Sequence, residues 1–196
     1  MMGFAALLCV LSLLEAVAVV ALDNDSIKTA VYYWLRDSAR AERSYGHIST
    51  WDTSGVTDMS YLFCGLLYYD VCNSRAGSFN DDISAWDTSG VRSMYGMFQA
   101  AGAFNQDISG WAVHNVKSMG RIFEGARNFN QDLSDWDVQS VTNMNYMFDG
   151  ALSFDQDLGW CLDNVYYNYD WFDSTPCEST SCGVLRGVCV MTDSKI

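Results

Sequence analysis

Asp82, Asp107, Asp132 and Asp157 stand 25 residues apart, each two positions after Asn80, Asn105, Asn130 or Asp155. A row of carboxylates with neighbouring amides is a donor set for a hard cation, because Ca²⁺ gathers about six to eight oxygens. Yet no unit holds the tight D-x-D-x-D-G of a dedicated calcium loop, and Asp or Asn at a repeated turn accepts bonds from nearby backbone N–H groups. The acidic column is therefore expected to cap turns. A surface or ligand role for Asp82, Asp107, Asp132, Asp157, Asn105 and Asn130, with Ca²⁺ as the ion, is the alternative, and no dedicated metal site or other cofactor is expected. A second column, Asp52, Asp87 and Asp137, is interrupted by Ala112 and Cys161. Catalysis is disfavoured: His47 and His114 lie far apart, and the chain has no G-x-S-x-G elbow, P-loop or Gly-rich nucleotide fingerprint. With 24 acidic against 11 basic residues and a net charge of −13, the surface repels nucleic acid.

These columns exist because the chain repeats. Trp51, Trp86, Trp111, Trp136 and Trp160 are separated by 35, 25, 25 and 24 residues. The middle units share Trp, then Val, Met, Met or Ile, Phe, Ala and Phe in one register, and end in Gln-Asp-Ile or Gln-Asp-Leu. The first unit carries an insertion bearing Cys64 and Cys72, which reads as a stapled loop. The last, WCLDNVYYNYDWFDS, is degenerate. A period of 25 falls in the range of stacked repeats, whose units are too small to bury their own cores. The Ile/Leu-Ser-x-Trp-Asp-Thr/Val segment alternates and is rich in β-branched residues, which predicts a short strand. Val-x-x-Met-x-x-Met-Phe-x-x-Ala predicts a short helix. The expected fold is an α/β repeat, a short solenoid over residues 47–175 with five units and one strand and one helix per coil. Its Trp, Met and Phe columns form the core. Arg92, Lys117, Arg121 and Arg127 lie on the central segments, where they offset the acidic columns or form a small recognition patch.

Residues 25–46 precede the repeats and place Ile27, Ala30, Val31, Trp34 and Leu35 on one side, predicting an N-terminal capping helix with Asp25 or Ser26 as N-cap. Before it, the apolar run up to Leu22 with Ala18 and Ala21 as small-residue cleavage positions reads as a signal peptide over residues 1–21. An uncleaved anchor is the alternative; after cleavage no membrane span is expected. Loss of that segment leaves Cys64, Cys72, Cys161, Cys177, Cys182 and Cys189, an even number that suits a disulfide framework. The spacing favours Cys64 with Cys72, Cys161 with Cys177 and Cys182 with Cys189, although the last four allow three connectivities. Residues 176–196 form a disulfide-rich C-terminal tail, and Asn24-Asp25-Ser26 is a glycosylation sequon.

The strings WDTSGV, SMYGMF, AFNQDIS and VTNMNYMF resemble the repeats of BspA-like surface proteins, a branch of the leucine-rich-repeat class also labelled a lipoprotein repeat of unknown function. The ending LGWCLDN with PCESTSCGV is similar to secreted algal members. The resemblance implies a leucine-rich-repeat-like fold, a secreted or cell-surface location and a non-catalytic recognition or adhesion role. Its partner would be a protein or glycan of the cell surface or matrix. The rival is a structural component of an extracellular matrix or cell covering, organised by Ca²⁺. The export reading is checked by N-terminal sequencing and thiol titration of the secreted protein. The mature chain should begin at Val19 or Leu22 and contain no free thiol; six reactive thiols would overturn both the compartment and the disulfide framework.

Overall fold

The structure, a computed structural model, describes residues 20–162, 171–179 and 181–186. The first helix is capped by Asp23, whose Oδ1 accepts from the Ser26 N–H at 2.8 Å while the Ser26 Oγ accepts from the Asp23 N–H at 2.8 Å. That reciprocal cap starts α1 (Asn24–Arg36). Asp37 ends it, and its Oδ1 accepts from the Arg40 N–H at 3.0 Å to start α2 (Ser38–Tyr45). One extended residue thus divides the single capping helix expected over residues 25–46. Ile27, Ala30, Val31 and Trp34 are buried on the first repeat unit, where the Trp34 and Trp51 rings meet edge to face at 5.8 Å. No helix among the described residues is long and apolar enough to cross a membrane. The expected signal segment falls outside the described residues up to position 19. Ala21 lies inside them, bridged in parallel to Asp52.

Past α2 the expected α/β repeat solenoid, with one strand and one helix per coil, does not form. Among the described residues the remaining helical pieces are short 3₁₀ turns, as at Ile48–Thr50 and Ser74–Ser78. Strand is reduced to a two-residue parallel pair, β1 (Cys161–Leu162) with β2 (Leu185–Arg186), and isolated parallel bridges joining Asp58, Ser93, Ser118 and Asn143 in series. The reason lies in the amides of the segment expected to be helical. Met97, Gln99 and Ala101 donate three residues back, to the carbonyls of Met94, Gly96 and Phe98. Met94, Gly96, Phe98 and Ala100 instead donate into the next unit, to Ser118, Gly120, Ile122 and Glu124, at 2.7–2.9 Å. Met119 through Gly125 repeat this onto Asn143 through Asp149. The alternation requires left-handed residues at Tyr61, Gly96, Arg121 and Tyr146 and at Ala100, Gly125 and Gly150, all with φ between 57° and 69°. Such residues interrupt a right-handed helix. A chain of turns also returns every third side chain to one side, which is why its apolar spacing mimics a helix.

The expected strand is likewise a turn. Trp86, Trp111 and Trp136 donate to the carbonyls of Ile83, Ile108 and Leu133, three residues back. Their indole N–H groups reach into the preceding unit, to Ile48, Ile83 and Ile108 carbonyls at 2.9–3.2 Å. The rings behind them form the core. Phe63, Phe98, Phe123, Phe148 and Phe172 stack at 5.5–5.8 Å, and Phe79, Phe104, Phe129 and Phe154 at 5.9–6.0 Å. Met59, Met94, Met119 and Met144 are fully buried among them.

Cys64 and Cys72 are joined as expected. At the other end Cys177 bonds Cys182, which rules out the expected Cys161–Cys177 and Cys182–Cys189 pairs. Cys177 in the 3₁₀ turn Pro176–Ser179 and Cys182 in the 3₁₀ turn Ser181–Gly183 lie with their Cα atoms 5.1 Å apart. Cys161 is itself disulfide-bonded, and Cys189 lies outside the described residues.

The left-handed column yields a paired test by urea denaturation. Gly125→Ala should lower stability by about 1 kcal/mol, the cost of a Cβ in that conformation. Ala100→Gly, at the matching position one unit earlier, should leave stability unchanged or raise it by up to about 1 kcal/mol. Equal losses in both variants would contradict the turn register.

Candidate functional site

The acidic column lies on the surface, where each carboxylate closes a local turn. Oδ1 of Asp82, Asp107 and Asp132 accepts from the N–H of Ser84, Ser109 and Ser134 at 2.9–3.0 Å, and Asp157 accepts from Gly159 N–H at 3.2 Å. Those N–H groups, then the serine hydroxyls, hold Asp82, Asp107 and Asp132 below the usual carboxylate range. Asp52 and Asp87 are lowered likewise, first by the hydroxyls of Ser54 and Ser89. A shallow recess of about 170 Å³ lies between Asp107 and Asp132, with Asp135 on its rim.

Asn105 and Asn130 clamp neighbouring units. The Asn105 N–H donates to Asn80 Oδ1 and the Asn130 N–H to Asn105 Oδ1, both at 2.8 Å, and Gln131 Nε2 adds a bond of 2.9 Å to Asn105 Oδ1. Asn24 does related work at the start of the stack: its Oδ1 accepts from the N–H of Thr57 and of Asp58 at 2.8 and 3.0 Å, and its Nδ2 donates to Thr57 Oγ1 at 3.0 Å. The side chain that carries the sequon thus stands in for a preceding unit. His47 and His114 are exposed, and the His47 ring faces Ser49 Oγ at 2.8 Å as part of a turn. Asp155, Cys177 and Cys182 approach within 4.8 Å of one another, but the two sulfurs are bonded to each other, leaving no thiolate for a metal.

A different face carries exposed apolar side chains. The insertion in the first unit is held at its base by the Cys64–Cys72 bond and by the Asn73 N–H, which donates to the Cys64 carbonyl at 2.8 Å. It stands opposite α1 across a cleft of about 800 Å³, lined by Val31, Tyr32 and Leu35 of the helix, Leu62 below, and Leu66, Leu67 and Val71 of the loop. Leu67 is 75% exposed, Tyr68 91%, Tyr69 59% and Val71 65%. Leu67, Tyr68 and Val71 are the most exposed large apolar residues among those described. Charges at the rim are mixed: Lys28 reaches Asp58 at 3.9 Å, and Arg75 Nη1 donates to the Arg36 carbonyl at 3.1 Å.

Ser60 and Tyr61 line one end of this cleft and lead onto the ladder face. There the Tyr61 ring lies against Gly96 of the next unit and the Tyr95 ring against Gly120 of the one after, so close that a Cβ on either glycine would fall within 3 Å of ring carbons. The two rings meet edge to face at 5.4 Å. Further along, the Arg121 guanidinium sits 4.5 Å from the centre of the Tyr146 ring and pairs with Glu124 at 2.6 Å, which also accepts from Gln99 Nε2 at 2.8 Å. Burial, then Tyr95, pushes the Tyr61 hydroxyl up. Sequence reasoning named Arg121 as one member of a recognition patch but missed the tyrosines. The available signal was divergence: between the constant Met and Phe columns the units carry Ser60-Tyr61, Tyr95-Gly96, Gly120-Arg121 and Asn145-Tyr146.

What these features define is a repeat protein whose units are tied through their backbones and carry exposed aromatic side chains at one end. A family described as "Mycoplasma protein of unknown function, DUF285" matches residues 35–161, 127 of the 196 in the chain, and the protein belongs to that family. No curated protein and no solved structure matches it.

The turn carboxylates set an acid limit. A group with a depressed folded pKa contributes stability that is present above its unfolded value of about 3.9 and lost as pH falls through the folded value. Melting temperature should therefore stay level from neutral pH to about 4 and drop below it. In the double variant Asp107→Asn/Asp132→Asn the drop should be shallower and melting at pH 7 slightly lower, since the amide oxygen still accepts the bond but carries no charge. An unchanged acid slope, read by circular dichroism melts, would remove these carboxylates from the explanation.

Proposed function

We propose that the protein is a non-catalytic recognition or adhesion module of the cell surface or extracellular space, and that it binds through the cleft between α1 and the stapled loop. The observation that carries this reading is the exposure of Leu67, Tyr68, Tyr69 and Val71 on a loop that a disulfide holds in place. A loop fixed at its base presents large side chains without ordering them at the moment of binding, which is the main advantage of preorganisation. The placement suits an extracellular setting, where disulfides persist, and agrees with the resemblance of the repeat strings to BspA-like surface proteins. The acidic column supports the rival calcium-organised matrix component less well, because one oxygen of each carboxylate already accepts turn N–H bonds.

The test is binding of the fluorescently labelled full chain, as exported, to intact cells of its source and to their deposited matrix. The triple variant Leu67→Ser/Tyr69→Ser/Val71→Ser should melt like the wild type, since these side chains are exposed, and should lose at least about tenfold in binding. Wild-type binding by this variant would show that the loop is not the contact surface.

A further inference from the structure

We propose that the strip running from the cleft over Tyr61, Tyr95, Arg121 and Tyr146 binds an uncharged oligosaccharide in extended form. This rests on the recognition reading above and names its ligand class. Charge provides the first argument. The chain carries a net charge of −13, so its field repels polyanions. On the ladder face beyond the cleft Arg121 is paired with Glu124, while Lys28, Arg36, Asp58, Asp70 and Arg75 mix both signs of charge within the cleft itself. What the ladder face offers is aromatic surface edged by neutral hydrogen-bonding groups.

The second argument is shape. Gly96 and Gly120 leave the floor open where the Tyr61 and Tyr95 rings rest on it, and both tyrosines remain partly exposed. A tyrosine has an apolar body and a polar tip, and it fixes only two torsions when it binds. A pyranose is complementary: its C–H face packs on a ring while its hydroxyls donate and accept at the edges. Neutral donors and acceptors flank the rings, in the Ser60–Ser93 hydroxyl pair at 2.8 Å and the Asn143 amide 3.3 Å from Ser118 Oγ. Register is the third argument. Parallel backbones joined by hydrogen bonds advance about 4.8 Å per unit, close to the advance of one sugar in an extended β-linked chain. Successive sugars would thus meet successive units.

The test is calorimetric titration of the full exported chain with cellohexaose, laminarihexaose, mannohexaose and chitohexaose, with heparin and polygalacturonate as polyanionic comparators. At least one neutral hexasaccharide should bind with Kd below about 1 mM, with the same affinity at about 50 and about 500 mM NaCl. Two variants borrow residues that other units carry at the same positions and so retain the fold: Tyr61→Gly, as at Gly96, and Tyr95→Ser, as at Ser60. Each should weaken binding at least about tenfold with melting temperature preserved. Failure of all four neutral probes, salt-sensitive binding to the polyanions alone, or binding indifferent to both tyrosine variants would overturn the proposal. If the neutral sugars fail while cells still bind through Leu67, Tyr69 and Val71, the ligand is of another class and the recognition reading stands. If cell binding is also indifferent to those residues, both readings fall.

Discussion

Every second amide along the Met-Phe segment of the first three units donates its hydrogen to the unit that follows, and most of the structure can be derived from that choice. Backbone N–H groups in a packed interior need partners, and here they find them by turns, one three residues back and the next across to the neighbour. No α-helix can be built this way, because alternate amides are already engaged outside the segment. The alternation also fixes where left-handed residues fall, and hence where glycine, or a side chain held in that conformation, must stand. With the backbones locked in register, like residues meet like: phenylalanine stacks on phenylalanine, and the indole N–H groups of Trp86, Trp111, Trp136 and Trp160 each find a carbonyl one unit back. At the start the Asn24 side chain replaces the missing neighbour, and at the other end the degenerate last unit keeps the register, its Trp171 and Asp173 carbonyls accepting from Phe148 and Gly150.

The same ladder governs what is available for binding. Constant columns point inward and are consumed by packing, and the Asn and Asp columns are engaged in clamps and turns. What remains is the set of outward positions that the ladder does not constrain, and the units differ there. Tyr61, Arg121 and Tyr146 occupy the left-handed position that Gly96 fills in one unit, so three units tolerate a costly backbone conformation for a large planar side chain. Nonglycine residues in such conformations persist where the surroundings over-determine them, and they cluster at functional sites. The insertion occurs in the first unit, where Cys64 stands in the column that holds Gln99 and Glu124 elsewhere. Bonded to Cys72, it adds a wall to the strip and makes a cleft with α1.

The tryptophan spacing, the shared register, the buried Val, Met, Phe and Ala columns, the apolar side of α1 and the Cys64–Cys72 staple were all legible in the order of residues. Each depends on composition recurring at fixed intervals, and burial enforces that recurrence independently of backbone shape. The turn-capping expectation for Asp82, Asp107 and Asp132 agrees with their bonds because side-chain capping is a local interaction of two residues' reach. What tertiary structure alone decided is the path of the backbone between those points. Apolar residues three apart serve a helix or a chain of turns equally well, and the choice is made by whether an amide's best acceptor lies within its unit or in the next. The meeting of Tyr61 with the stapled loop and the side-by-side placement of Tyr61, Tyr95 and Arg121 are of the same kind. They join positions set side by side by stacking, contacts through space that no local pattern encodes.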